Sequence, residues 1–379
     1  MPQPRLTDEE MRQAISWRDY GPTVGKAAEA MGIKHNTLRS RIRIATEAGV
    51  HLSPGARDSA TRAGLGGLEV RGGHRRVYDD DGKQIDTVRY SVPQDELSED
   101  RLERIRAAFE GIPAAAPVAK PEHCNSDLLT LYPIADAHIG MMAWGEEAGE
   151  DYDTKIATTR LVDWMGRAVA SSPASSTAIV LDVGDLQHAD DQSNMTPRSK
   201  HILDADTRHF KTVDMTIYAL GISIELARAK HERVIVRILP GNHNPHAYMA
   251  VLFALAERYR NDDRVTVQKV PGEYFAHQFG KCFIASHHGD KAKAERMVMY
   301  MADRFPELWG KTRHRYLWTG HLHHHKSADI GGVQWEQLRA LTARDAYASS
   351  HAYSARAQLQ AVTYHRDMGE VQRVKVGLA

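Results

Sequence analysis

Five short segments of this chain carry side chains suited to holding metal ions. They are Asp136-Ala137-His138, Gly184-Asp185, Gly241-Asn242-His243, His287-His288-Gly289 and Gly320-His321-Leu322-His323. Imidazoles mixed with carboxylates suit Mn²⁺, Fe or Zn²⁺ better than Mg²⁺ or Ca²⁺, which favour all-oxygen shells. His321 and His323 stand two apart, so on an extended chain both rings leave the same face. Gly320 lets the backbone approach whatever they hold. Taken alone, the run through His324 and His325 reads equally well as a histidine-rich loop.

The stretches that must position these residues change that balance. Apolar runs at 128–135, 177–183, 234–239, 281–285 and 315–318 read as buried strands, and each ends just before one of the five segments. Helical patterns fill 155–172, about 208–230, 247–260 and the region near 291–304. Further strands are expected at 265–270, 273–278, 332–338, 358–364 and 372–376, the late ones completing the sheet. Strands alternating with helices give an α/β fold class. In open α/β sheets, ligands gather beyond the carboxyl ends of the strands. Five separate loops supplying Asp, Asn or His at that one place make a shared site the stronger reading.

In this order the set resembles the calcineurin-like metallophosphoesterase family, over residues 128–379. The resemblance implies a β-sandwich flanked by helices (α/β/β/α) and two divalent cations, Mn²⁺ first, with Fe or Zn²⁺ as alternatives. It implies Asp136, His138, Asp185 and His323 on the first ion. Asp185 would bridge to a second ion completed by Asn242, His288 and His321. His243 would be catalytic and not a ligand. The residue types make sense of these roles: a carboxylate has two oxygens with which to bridge, and Asn242 adds a ligand without adding negative charge. An imidazole near its ordinary pKa can move a proton either way.

Some positions depart from the pattern or leave it open. Asn244 stands where the family has an acidic residue, which weakens the expected orientation of His243. His287 and His288 compete for one ligand position, taken here by His288 because it directly precedes Gly289. His324 and His325 are expected outside the ligand set. Gly184-Asp185-Leu186-Gln187-His188 is similar to the Gly-Asp-Leu-x-His of SbcD-type DNA nucleases. That places His188 beside the metal pair, against the plainer reading of a loop histidine capping the next helix. Asp190, Asp191, Asp206 and Arg208 suit phosphate-side contacts or turns about equally. Glu146, Glu147, Asp151 and Asp153 read as a solvated loop near the mouth.

Ahead of this region, residues 1–52 read as a small helical domain. Thr7 and Glu10 form a capping box that opens a first helix to about Tyr20. A second helix carries Ala27 and Ala28, and a third starts from Asn36 as its cap. The stretch from Ala27 to Ile42 resembles the Fis-type helix-turn-helix. That resemblance would present Lys34, Asn36, Thr37, Arg39, Ser40 and Arg43 to a DNA groove; a dimerisation module is the alternative. Residues 53–125 read as a linker holding a β-hairpin with an Asp81-Gly82 turn, a charged helix over 96–109 and an extended spacer at 113–117. Residues 126–379 are the expected catalytic domain.

Bulk properties narrow the classes further. The formal net charge is zero, yet residues 1–78 hold thirteen Lys and Arg against eight Asp and Glu, which suits a DNA-facing end. Cys124 and Cys282 are the only cysteines, so neither a disulfide framework nor a cysteine zinc site is expected. With no long apolar run and a polar start, the expectation is a cytoplasmic protein without membrane contact. The layout resembles phage and prophage metallophosphoesterases described as DNA repair exonucleases. It implies a nuclease that hydrolyses DNA phosphodiester bonds, with DNA as partner. About 56 residues follow His323, so no separate DNA-capping domain of the SbcD type is expected and the N-terminal unit becomes the grip. The alternatives are an esterase on a small nucleotide with the N-terminal helices making a homodimer, and a non-enzymatic DNA-binding regulator.

Overall fold

The computed structural model describes residues 6–21, 23–47, 72–78, 84–91, 114–352 and 354–377. The chain divides into two compact units, residues 1–99 and 100–379. The expected 96–109 helix and the Asp81-Gly82 turn lie outside the described residues.

In the first unit, helix α1 (Asp8–Ile15) starts from the Thr7–Glu10 capping box. Thr7 Oγ accepts from the Glu10 N–H, and the Glu10 carboxylate accepts from the Thr7 N–H. The helix ends at Ile15 and a 3₁₀ turn over Trp17–Asp19 follows, so helical chain is interrupted earlier than expected. Helices α2 (Val24–Ala30) and α3 (His35–Glu47) are joined at Gly32, whose φ of 67° a side chain would strain. Lys34 O accepts from the N–H of Leu38, so α3 is already under way at Asn36, which sits in its first turn and does not cap it. Ala14, Ala27, Ala28 and Leu38 form the buried core. Arg41 pairs with Glu10 at 2.8 Å and ties α3 to α1. Strands β1 (Gly72–Tyr78) and β2 (Gln84–Ser91) form an antiparallel pair.

The second unit is a sandwich of two sheets. The first sheet runs β13–β12–β3–β4–β5–β6, from β3 (Asn125–Ile134), β4 (Ser175–Asp182), β5 (Arg233–Ile238), β6 (Val265–Val267), β12 (Gln358–His365) and β13 (Gly369–Gly377). The second runs β10–β11–β9–β8–β7, from β7 (Phe275–Phe279), β8 (Cys282–Ser286), β9 (His314–Thr319), β10 (Lys326–Ile330) and β11 (Val333–Gln337). β3 to β6 are mutually parallel, as are β8, β9 and β11. The late strands therefore divide between two sheets: β11 extends the second, and β12 and β13 extend the first.

Period-two alternation explains the layers. Leu129, Leu131, Ile179 and Leu181 face the other sheet, where Ile284, Tyr316 and Trp318 meet them. Tyr132, Ile134, Ala178 and Val180 face the opposite way, onto helices α5 (Thr154–Ser171), α6 (His209–Lys230) and α7 (Tyr248–Arg258). Phe283, Ala285 and Leu317 meet α8 (Ala294–Arg304) and α9 (Pro306–Lys311) on the far side. The order helix, sheet, sheet, helix is the expected α/β/β/α sandwich. Short helix α4 (Gly145–Ala148) lies in the loop after β3, and α10 (Ala346–Ser350) precedes β12.

Residues 114–119, which take in the described part of the 113–117 spacer, are pinned along this unit. The Ala115 N–H donates to Arg258 O, Arg228 donates to Ala116 O, and Arg264 donates to the carbonyls of Val118 and Ala119. Among the described residues no helix is long and apolar enough to cross a membrane.

Candidate metal centre

Register brings the five loops to one edge. Ile134 of β3 pairs with Asp182 of β4, which pairs with Ile238 of β5. In the second sheet Ser286 of β8 stands beside Trp318 of β9. Parallel strands ending at the same level release their loops together. Cross-loop bonds then lock them: the Asp136 N–H donates to Gly184 O, the His138 N–H to Asp185 O, and the Gly320 N–H to His288 O.

These loops hold an unusual backbone. Asp136, His138, Asp185, His321 and His323 all have φ between 45° and 75°. They are five of the eight non-glycine residues with positive φ among those described. Each such residue costs of order 1–3 kcal/mol and persists where its surroundings over-determine it, a pattern that concentrates at functional sites. The strain also corrects the expectation for His321 and His323. β9 ends at Thr319, and the left-handed turns at 321 and 323 send the two rings to different groups. They do not share one face.

Two clusters result. Asp136, His138 and His323 converge, with His138 Nε2 at 3.2 Å from His323 Nε2 and His323 Nε2 at 3.6 Å from Asp136 Oδ1. Asp185, His288 and His321 form the second, with His288 Nε2 at 3.0 Å from Asp185 Oδ2 and 3.1 Å from Asn242 Oδ1. Asp136 joins them, its carboxylate accepting from the His321 N–H at 3.0 and 3.1 Å. Asp136, His138, Asp185 and His288 are buried. All seven expected ligands thus meet at this edge.

The glycines of the motifs make room for ligands of other motifs. A Cβ at Gly241 would overlap Asp185 Oδ1, one at Gly184 would lie 2.5 Å from His288 Nδ1, and one at Gly320 would lie 2.6 Å from Asp136 Oδ2. The Gly-Asp, Gly-Asn-His and Gly-His spacings are therefore packing requirements of the centre itself.

Charge follows geometry. Burial acts against the charged forms of both Asp185 and His288, but each favours the other's charge. The Asp185 carboxyl is held well below its ordinary range, and the His288 imidazole is pushed up to about 10. Burial, with the neighbouring His243 and His323, holds His138 well below 6.5, so it is neutral and able to donate a lone pair. Burial lowers His321 in the same way. The second cluster holds an ion pair; in the first, burial opposes the charge of His323 but the Asp136 carboxylate raises it, while its neighbour His138 is lowered. The set fits divalent cations, which would displace the His288 proton on binding.

A third group, His138, His188 and His243, shares His138 with the first cluster. His188 Nδ1 lies 3.2 Å from His138 Nδ1, on the side of the ring away from His323, where it can fix the tautomer of His138. His188 Nε2 is buried with no hydrogen-bond partner among the described residues, and burial holds the ring at about 3, hence neutral. His243 donates its backbone N–H to Asp185 Oδ1 at 2.8 Å. Its Nδ1 lies 2.8 Å from the carbonyl oxygen of His188, to which an Nδ1–H donates. That carbonyl does what the missing acidic residue at position 244 was expected to do. Asn244 is buried and accepts from the Gly241 N–H, shaping the turn.

Other candidates separate cleanly. The His287 ring lies tilted against Tyr274, with centroids 4.5 Å apart, and 3.6 Å from Glu273; His324 bonds Leu322 O; His325 lies 3.4 Å from Glu336. None joins a cluster. Asp190 accepts from the N–H groups of His246 and Ala247, Asp206 from Thr154 N–H, Asp151 from Gly145 N–H, and Asp153 caps α5. Turn chemistry accounts for all four. Lys34, Asn36, Thr37, Arg39, Ser40 and Arg43 are all exposed in the first unit.

Asp182 was not singled out from sequence. Its Oδ1 accepts from the Gly184 N–H at 2.9 Å, and burial pushes its carboxyl well above the ordinary range. It shapes the Asp185 turn; nothing in an apolar strand marked its last residue. A Tyr132–His231–Ser175 chain of hydrogen bonds is also present, but His231 and Ser175 are fully buried, away from the clusters. A groove of about 810 Å³ lined by Trp318, Glu336, Glu370 and Arg373 contains no ligand residue.

No family model matches the chain, and no curated protein matches it. Solved structures do resemble it. A dimetal phosphatase from Danio rerio is 9% identical, with 66% of this chain and 99% of that chain covered and a TM-score of 0.36. A novel archaeal phosphodiesterase is 10% identical, with 66% and 99% covered and a TM-score of 0.32. A conserved protein from Streptococcus pneumoniae TIGR4, described as a predicted phosphoesterase, is 11% identical, with 66% and 98% covered and a TM-score of 0.28. Likenesses this distant carry no argument about activity. That argument rests on the geometry of the centre.

Proposed function

We propose that this chain is a two-metal-dependent phosphodiesterase that hydrolyses DNA, gripped by its N-terminal helical unit. The observation that carries the reading is the meeting of Asp136, His138 and His323 with Asp185, His288, His321 and Asn242 in two adjoining clusters at one sheet edge. Asp136, His138 and His323 would hold one cation. His288, His321 and Asn242 would hold the other, and Asp185 would bridge. When bound, the cations supply charge neutralisation for the phosphate oxygens and an acidified water. The mixed donors favour Mn²⁺, Fe or Zn²⁺.

The chain's own residues do the rest. Asn242 keeps the centre from becoming too negative for a phosphate. With its Nδ1–H engaged by the His188 carbonyl, His243 has Nε2 left to carry a proton to the leaving oxygen as the phosphorus–oxygen bond breaks. His188 supports this twice, through its carbonyl to His243 and through its ring to His138.

DNA as substrate is supported by the first unit, where the exposed residues from Lys34 to Arg43 lie on and beside α3, the second helix of the α2–α3 pair. Deleting residues 1–50 is expected to weaken DNA binding at least tenfold and to flatten its salt dependence, because phosphate contacts are lost. Hydrolysis of bis(p-nitrophenyl) phosphate with Mn²⁺ should stay within twofold. Fluorescence anisotropy across a salt series, beside the chromogenic assay, makes the test. Unchanged DNA binding together with conversion of a dimer to a monomer would instead support an esterase on a small nucleotide.

A further inference from the structure

We propose that His287, the histidine left outside the ligand set, is a positioning residue whose ring closes the turn that sets His288 on the second cation. Beyond β8 the two neighbouring side chains part. His288 reaches Asp185 and Asn242, while His287 is buried against Tyr274 and beside Glu273. The His287 ring then reaches back to the main chain: the Gly289 N–H donates to its Nδ1 at 2.9 Å. Asparagine and aspartate side chains make the same bond to the N–H two residues on, in the Asx turn. Here an imidazole makes it. Because Nδ1 accepts, the proton of the neutral ring sits on Nε2, which faces Glu273 Oε2 at 3.6 Å.

His288 is thereby held from both sides. Before it, the His287 N–H donates to Trp318 O; after it, the Gly289 N–H is taken by the His287 ring. Between them the His288 carbonyl accepts from the Gly320 N–H, one residue ahead of His321. Gly289 adopts a φ of 112°, and a Cβ there would lie 3.4 Å from Gly320 O and 3.7 Å from His321 Cβ. The turn that His287 closes thus carries one ligand of the second cluster and abuts another.

The far side of the ring is fixed as well. Glu273 pairs with Lys291, and the Tyr274 ring lies 4.5 Å from those of both His287 and Tyr300, centroid to centroid. The loop that brings Glu273 and Tyr274 is anchored by the buried Arg237 of β5, which donates to Val270 O at 2.6 Å and to Gly272 O at 2.8 Å. β5 leads in turn to Asn242, the third partner in the second cluster. A ring that only filled space beside Tyr274 could be any aromatic. The acceptor at Nδ1 is what a phenylalanine would lack.

The inference rests on the two-metal reading and concerns its second cation. The test titrates metal-free, full-length wild type, H287F, H287N and H287L with Mn²⁺ by calorimetry, with thermal melting followed by circular dichroism. Phenylalanine keeps the ring and loses the acceptor. Asparagine and leucine match each other in shape and both lose the ring, but asparagine keeps an acceptor at the place an Asx turn needs it. Residues that orient metal ligands are worth about 10–100-fold in affinity, so H287F and H287L should each weaken one of the two Mn²⁺ by that factor. H287N should bind both ions close to wild type. Should one of the two apolar variants fail to fold, the other against H287N decides. Wild-type binding of both ions by H287F or H287L would overturn the positioning role while leaving the two-metal reading intact. H287N as weak as H287L would overturn it too, since the acceptor would then not matter. A wild type that took up one Mn²⁺ or none would overturn the two-metal reading itself, and this inference with it.

Discussion

Gly241→Ala is expected to disable the centre while leaving the fold in place. The added methyl would overlap Asp185 Oδ1 and press on the Asp185 backbone, so the conflict is not with the loose end of a side chain. Asp185 has nowhere to go: its Oδ1 accepts from the His243 N–H at 2.8 Å and its Oδ2 sits 3.0 Å from His288. Any shift that relieves the methyl pulls the carboxylate from the second cluster and moves His243 as well. Misplacing reacting groups by about 1 Å costs on the order of 10²-fold, and here both the bridge and the proton carrier move. Phosphodiester hydrolysis should fall by at least about 10²-fold, with a matching loss of Mn²⁺ affinity in titration calorimetry. Gly241 lies in a loop at the sheet edge, so circular dichroism should remain that of the wild type. Full activity in this variant would show that Asp185 does not act where it stands.

His243→Ala makes a different prediction, because His243 is read as the proton carrier and not as a ligand. kcat should fall about 10²–10⁴-fold, with Mn²⁺ affinity within twofold of wild type. The size of the loss should depend on the leaving group. p-Nitrophenolate leaves as a stable anion and needs little help from an acid, whereas a deoxyribose oxygen needs its proton. The variant should therefore lose more on DNA than on bis(p-nitrophenyl) phosphate. Since His243 also lies with His138 and His188, a weakened cation affinity would instead make it a ligand.

What the sequence disclosed, and what it hid, divides by range of interaction. The nearly continuous apolar runs at 128–135 and 177–183 mark β3 and β4 as strands buried on both faces, because such a run is a local feature of the chain. The five motifs were legible for the same reason: each is a strand end followed by a few residues. Which sheet a strand joins is not local. β11 and β12 have similar compositions, yet one pairs in parallel with β9 and the other antiparallel with β3. β10, mostly exposed, offered no apolar pattern at all.

Backbone strain was equally hidden. Nothing in Gly-His-Leu-His announces two left-handed residues, since only contacts from Asp136 and the rest of the edge hold them there. His243 is oriented by a main-chain carbonyl, which every residue has and no motif marks, and not by a side chain at 244. The clash that would follow from a Cβ at Gly241 involves Asp185, 56 positions earlier in the chain.

The central claim is that these loops cage two cations. A crystal structure of the full chain grown with Mn²⁺, with anomalous scattering collected at the manganese edge, tests it most directly. The account predicts two neighbouring anomalous peaks, one bounded by Asp136, His138 and His323, the other by Asn242, His288 and His321, with Asp185 between them. A crystal containing Mn²⁺ that showed no peak at this edge, or a single ion held by other residues, would contradict it.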